Sequence, residues 1–559
     1  MATSLRNAVL AALAVIPTTL SITITSAEVI NTPFHSIYAR QTCAGDVSCI
    51  CEVLREALTG TNQTLFPSDG AIYKDFEDIN YSAACRLSAA CIVSPKNAQE
   101  VSTAINILSE AGTKFAVRSG GHNYIPGFGS IDEGGVLISL SSLNSTELSE
   151  DKKTAKIGPG SRWQAVYEAL VPEGLVVIGG RVGPVGVGGL MLGGGLNYFA
   201  TQRGLAFDNV KSYEVVLAGG SIVTASADNE YSDLYKGLRG GASNFGIVIS
   251  YELYTYPVGD FYVDARAYNP NQTSDFLHAF GKYQDEGQSD PLSSVTGMYK
   301  TASNPLTIQF PILIIQANIR IVQLLETGPT ILLLYNKPVQ QAKAFDAFYS
   351  LESYQPILPA FNGSLLDILA LTGSRFSTGE VRTYGETFSH KADVDLMIEL
   401  YDIFTEETKN LPADASAVWV PNAIPASVAT LGKQHGGNLL GLEEVPQQCE
   451  PPIYFHGLFL VGTDDVLVGY EWYITWTDPA QDTAILDLSQ RITQRCTEAA
   501  KAKDLLLPYL FMNTAGKTQK VLASYGAENV EFIRTTAAKY DPEQVFQKLQ
   551  NGGFLVRDL

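Results

Sequence analysis

Glycine placement constrains this chain more than any other feature. Gly179 to Phe199 reads "GGRVGPVGVGGLMLGGGLNYF", and shorter clusters occur in "RSGGHNY" (Arg118–Tyr124) and "LRGGASNFG" (Leu238–Gly246). Glycine loses more conformational freedom on folding than any other residue, so such runs need a reason. They let one backbone approach another group closely, and successive exposed N–H groups form concave nests for phosphate oxygens. Loops at 120–121, 179–195 and 240–246 could together surround a diphosphate and a ring system. Two readings stay open at this level: a large anionic cofactor such as a dinucleotide, or a glycine-rich turn system in a β-rich scaffold. The Rossmann fingerprint is absent from 179–195, because Met191 stands where the third glycine counted from Gly186 would fall. No Gly-Lys-Ser/Thr completes a P-loop there.

The loops punctuate a βα pattern. "CIV" at Cys91–Val93 reads as a short strand, and a helix follows from about Ala98, with Val101, Ile105 and Leu108 on one face and Gly112 closing it. "KFAVRSGGHN" runs from a strand into a glycine turn, and "SYEVVLAGGSIVTA" reads as a hairpin around Gly219-Gly220. Beyond 260 the glycine clusters thin out, and helical stretches such as "ADVDLMIELYDIFTEETKN" alternate with strand-like runs such as "VLVGYEWYITW". That change of character marks a second, α+β domain. Asn304 to Pro329 is unusually apolar and reads either as a buried insertion or as translated intron sequence.

The chain has 559 residues and a net charge of -20, which argues against nucleic acid and against anionic membrane surfaces as partners. Arg6, an apolar run from Ala8 and the small residues Thr25-Ser26-Ala27 form a secretory signal pattern cut near Ala27; an uncleaved anchor helix is the rival reading, weakened by Pro17. Five of seven cysteines lie within 43–91, which suggests disulfides near the N-terminus, with an odd thiol left over. A zinc site is the weaker alternative, since no paired C-x-x-C and no nearby His accompany the cluster. Sequons begin at Asn62, Asn80, Asn144, Asn271 and Asn362 and make a secreted glycoprotein the expectation.

Taken in order, "RSGGHN", "GGRVGPVGVGGLMLGGGLNYFATQRGLAFDNV", "EVVLAGGSIVTAS", "LRGGASNFGIVISYELYTYP" and the C-terminal "FMNTAGKTQKVLASYG" and "KYDPEQVFQ" resemble the p-cresol methylhydroxylase-type (vanillyl-alcohol oxidase) FAD-binding superfamily. The branch they resemble most is that of fungal berberine-bridge-enzyme-like FAD-linked oxidoreductases. The resemblance implies an α+β, two-domain fold in which a large antiparallel sheet, flanked by helices, roofs the flavin ring. The expected division is a signal peptide at 1–27, a Cys-rich arm at 28–85, an FAD-binding domain at 86–260, a substrate domain at 261–504, and a segment at 505–559 that returns to the FAD domain.

The resemblance also implies roles. His122 becomes the covalent FAD anchor, with Ser119, Gly120, Gly121 and Asn123 lining the diphosphate. Relatives with two covalent links carry a Cys where this chain has Val182, so attachment through His122 alone is expected. Val185 matches a position that gates oxygen, and a small residue there points to an oxidase that makes hydrogen peroxide. Gly188, Gly189 and Gly193 are expected to contact the cofactor by backbone; Asn244, Gly246, Ile247 and Val248 to line its adenine and ribose; and Asn513 to lie near the flavin ring. A proton acceptor is needed for hydride removal. Tyr470, Tyr473 and Tyr509 are the candidates, Tyr470 and Tyr509 favoured among them, with His456 and Glu471 as outsiders. Along "VGYEWYITW", Tyr470, Trp472 and Ile474 share one strand face and Glu471, Tyr473 and Thr475 the other.

The activity implied is FAD-dependent oxidation of a small organic molecule (an alcohol, an amine or an oxidative cyclisation) in fungal secondary metabolism, by a monomer with O2 as co-substrate and no metal. A carbohydrate oxidase of the same family is the alternative, with Val182 against it. From another class comes a flavin-carrying cyclase or binding protein without net redox turnover.

Overall fold

The computed structural model describes residues 43, 45–60, 62–302, 328–352, 354–373, 380–442, 444–445, 461–462 and 467–559. The signal pattern at 1–27, Cys449, His456 and most of the apolar 304–329 stretch lie outside these residues.

Local signals in the sequence set the first layer. Asn97 Oδ1 accepts the Glu100 N–H and starts the helix Ala98–Ala111; Gly112, at φ +64°, ends it. Val101, Ile105 and Leu108 lie on its buried face. This helix is the crossover from the strand Cys91–Val93 to Phe115–Arg118, and both pair in parallel with Val136–Ser139 between them. Thr64–Leu65 adds an antiparallel edge. A second, antiparallel sheet contains the hairpin Val210–Val216/Ile222–Ser226 and the long strand Ile247–Pro257.

After Pro257 the chain leaves that sheet, and Phe261–Ala267 enters an eight-stranded antiparallel one. Its strand Leu467–Trp476 lies between Arg382–Lys391 and Ser416–Ile424. One face of this sheet is covered by helices, as Trp472 Nε1 and Trp476 Nε1 show by donating to Ser489 and Asp482 of the helix Asp482–Ala502. The fold is therefore α+β with two domains. The chain's end turns back: Tyr509, Phe511 and Met512 join the core around Trp163 and Phe207.

Asp208 and Arg239, both fully buried, tie the domains together. Arg239 Nη2 donates to Asp208 Oδ1 at 2.7 Å, and Nη1 donates to the carbonyls of His435 and Gly437 from the part of the chain beyond 260. Burial pushes the Asp208 carboxyl up, against the pull of Arg239.

The disulfide Cys51–Cys91 staples the arm to the first sheet and Cys43–Cys49 closes a loop within the arm, while Cys85 and Cys496 are buried and free. No cluster of metal-ligating side chains and no helix long and apolar enough to cross a membrane occurs among the described residues. One sequon departs from expectation. Asn80 is buried and its Nδ2 donates to Cys85 O, so the folded chain closes that position, whereas Asn62, Asn144, Asn271 and Asn362 are exposed.

Candidate active site

The glycine loops meet backbone to backbone. A Cβ on Gly120 would lie 2.4 Å from Gly186 Cα, so neither position tolerates a side chain. Ser119 Oγ donates to Pro159 O and accepts the Gly188 N–H at 3.1 Å, which locks loop one to loop two. Asn513 Oδ1 accepts the Gly195 N–H, and its Nδ2 donates to Leu190 O, so the returning C-terminal segment braces the helix Val187–Gly193. Val182 O accepts the Val185 N–H in the turn between, and Val185 packs against the core. Gly189 is exposed on that helix.

The third loop is held differently. Asn244 donates to Gly241 O and Phe554 O and accepts from Gln547 Nε2 and the Val556 N–H. Its amide is saturated, so any part it plays toward a cofactor falls to its backbone. Gly246, Ile247 and Val248 open the strand beside it, buried.

His122 follows Gly121, whose φ of +69° is a left-handed turn that glycine adopts without strain. Asn123 Oδ1 caps the turn by accepting the Ile125 N–H. Tyr81, from the arm, stacks on His122 with ring centroids 4.4 Å apart, and its N–H donates to Gly121 O. Burial, helped by the Arg162 charge, holds the His122 imidazole down to about 4, so it is neutral near pH 7.

The roof sheet brings Tyr473 to this loop. The Tyr473 ring lies edge-on to Tyr124, two residues after His122, at 5.8 Å. A Cβ on Gly385 would meet that ring at 2.9 Å, so the glycine makes room for it. Asn422, on the neighbouring strand and the same sheet face, accepts from both terminal nitrogens of Arg181 at 3.2 Å. This face meets the glycine loops; the opposite face meets the helices, except at its edge, where Tyr384, in register with Ile474, also lies edge-on to Tyr124 at 6.1 Å.

The tyrosine candidates separate accordingly. Tyr470 pairs with Phe388 and Pro421 in register and has the parity of Trp472 and Ile474, which pack under the helices. Tyr509 is buried in the core around Trp163 and Phe207, stacked on Tyr525, and burial drives its phenol well above the ordinary range. Tyr473 is the half-buried one beside the His122 loop. Sequence does not mark Tyr81, Tyr124, Arg162 or Arg181 as site residues. Tyr124 stood in the quoted "RSGGHNY", but nothing in that string says what its ring will meet.

The donor set suits an anionic dinucleotide. Arg118 is fully buried, with Nε and Nη1 lacking a hydrogen-bond partner among the described residues, and burial pushes it down to about 10. Arg162 donates to Pro184 O, and neither guanidinium pairs with a carboxylate among the described residues. Glycine loops that admit close backbone approach, beside two cations that no carboxylate contacts among the described residues, suit a diphosphate.

The comparisons agree. An FAD binding domain family matches residues 89–226. An FAD-dependent monooxygenase of Arthrobotrys oligospora is 38% identical, over 96% of this chain and 95% of its own length. The chain belongs to the superfamily of FAD-dependent monooxygenases that carry this FAD binding domain. The bifunctional solanapyrone synthase of Alternaria solani is 31% identical over 91% of this chain and 90% of its own. Berberine bridge enzyme from Eschscholzia californica shares the fold with a TM-score of 0.69 at 16% identity, covering 90% of this chain and 98% of that one. As a member of this superfamily the protein is an FAD-linked oxidoreductase. His122 and the three glycine loops are the residues that could hold such a cofactor.

Proposed function

We propose that this protein is a secreted oxidase of fungal secondary metabolism, carrying FAD covalently on His122 alone and acting on an alcohol, an amine or a ring-closing precursor. FAD, when bound, supplies the hydride acceptor and passes the electrons to O2, giving hydrogen peroxide. The observation that carries this reading is the placement of His122, on a left-handed glycine turn at the seam of glycine loop, arm and roof sheet. A neutral ring nitrogen has the free lone pair that bond formation needs. Val182 offers no thiolate for a second link. Val185 keeps the loop beside it small. Tyr473 takes the substrate's proton, since its ring lies on the sheet face that meets the loops. Disulfides in the arm and four exposed sequons fit passage through an oxidising, glycosylating compartment.

The relatives' names favour a second reading, monooxygenation, in which one oxygen atom of O2 enters the product.

The decisive experiment is acid precipitation of the purified protein. Wild type is expected to keep its yellow colour in the pellet, and His122→Ala to lose all of it to the supernatant. Colour retained by His122→Ala refutes the tether. Peroxide formed one-for-one with product supports the oxidase. Product carrying label from 18O2 supports monooxygenation instead.

A further inference from the structure

A small cavity of about 20 Å3 lies at one end of the roof sheet, where the strand Ser416–Ile424 ends and Ser293–Ala302 begins. Its lining includes Arg181, Tyr198, Tyr283, Gln288 and Asn422, and holds no carboxylate. That innermost volume takes one oxygen atom, and the cavity is open on one side, so a second oxygen and the rest of a molecule would sit at its mouth.

Two observations point to a ligand. The first is Arg181. Both of its terminal nitrogens donate to the same neutral oxygen, Asn422 Oδ1, and no carboxylate among the described residues pairs with it. Its backbone is fixed as well, because Arg181 O accepts from Tyr198 and Thr372 hydroxyls. In a chain of net charge -20, a cation held against an amide at a cavity is a recognition element without its counter-charge. The second is Gln288, only 7% exposed, whose Oε1 has no hydrogen-bond partner. A buried amide oxygen left unpaired is costly, and a donor entering the cavity would satisfy it.

Together these groups select a pair of features in one molecule: an anionic oxygen for Arg181 and a neighbouring hydroxyl that donates to Gln288. Arg181 directly precedes Val182 in the second glycine loop, which joins the cavity to the site described above. We propose that the cavity anchors the substrate, and that the substrate class is a small acidic hydroxy compound, with a phenolate, enolate or carboxylate oxygen beside a free hydroxyl. This deepens the oxidase reading and rests on it for the word substrate; the binding chemistry stands by itself.

The test is calorimetry on the flavin-loaded protein with three probes. Salicylate carries both features, benzoate the anion only, and 2-hydroxybenzyl alcohol the hydroxyl only. Salicylate is expected to bind about tenfold tighter than either of the others. Arg181→Gln should weaken salicylate by about tenfold and leave the alcohol unchanged; Gln288→Leu should bring salicylate down to the level of benzoate. The Gln288 variant keeps the test alive if loss of the Arg181–Asn422 contact disturbs folding. Equal salicylate affinity in wild type and in both folded variants overturns the proposal, as does no binding at all, which leaves the cavity to water. Salicylate binding without oxidation of any substrate supports the subsite and overturns the oxidase. Peroxide production from neutral substrates as fast as from acidic ones does the reverse.

Discussion

His122 and His390 invite comparison. Both are imidazoles that burial holds down to about 4. His390 sits fully buried on the strand Arg382–Lys391, its Nδ1 against Lys391 O and its ring beside Phe388, on the parity that packs under helices. His122 is only half-buried, rides a left-handed glycine turn, stacks on an arm tyrosine and neighbours the roof sheet through Tyr124. Neutrality is thus no mark of function. What separates the two is whether the ring faces a seam between domains or the inside of one.

That contrast can be broken in several places. The largest effect is expected from Gly120→Ala, because the new Cβ meets the Gly186 backbone, which cannot rotate away as a side chain would. A loss of about 3 kcal/mol in unfolding free energy, together with loss of flavin, is expected by denaturant titration; a neutral outcome would mean that the loops are not in contact. Tyr473→Phe comes next. It should lower kcat about 100-fold, roughly 2.7 kcal/mol, with KM and thermal stability unchanged. Tyr470→Phe should do little. If Tyr470→Phe were the damaging change, the assignment of sheet faces would fall.

The pH dependence belongs to His390. Its folded pKa lies below the unfolded value near 6.5, so the unfolded chain binds the proton first. The contribution is therefore intact above about pH 6.5 and is lost as pH falls toward the folded value of about 4. By about pH 5 this histidine alone should cost about 2 kcal/mol. His390→Gln should flatten that part of the curve in urea midpoints measured at several pH values, with flavin content unaffected. The smallest effect is Tyr81→Leu, which removes the stack on His122 at about 1 kcal/mol. The melting temperature should fall by a few degrees at most, and slower flavin incorporation would show that the stack orients the ring.

Much of this was legible in the chain because the signals are local. Asn97 and Gly112 bound the helix Ala98–Ala111. The Gly219-Gly220 hairpin follows from two strand-forming runs around a glycine pair. The pattern of "VGYEWYITW" likewise divides its residues between two faces. It cannot say which face the helix Asp482–Ala502 will cover, and that contact decides between Tyr470 and Tyr473. Asn244 shows the same limit: its neighbours in sequence suggest a loop ligand, but residues about 300 positions away consume its amide. Asn80 satisfies the sequon pattern and is closed by Cys85 O.

By itself, then, the sequence determined the glycine loops, the order of the motifs that identify the superfamily, and the missing cysteine at Val182. These are matters of residue type and spacing along the chain. Tertiary structure alone decided that Tyr81 would stack on His122, that Tyr473 would face the loops, and that Arg181 and Gln288 would share a cavity. The reason is physical. Each of those pairings joins groups far apart in sequence, and their meeting depends on which sheet face the helices bury and where the chain's end returns.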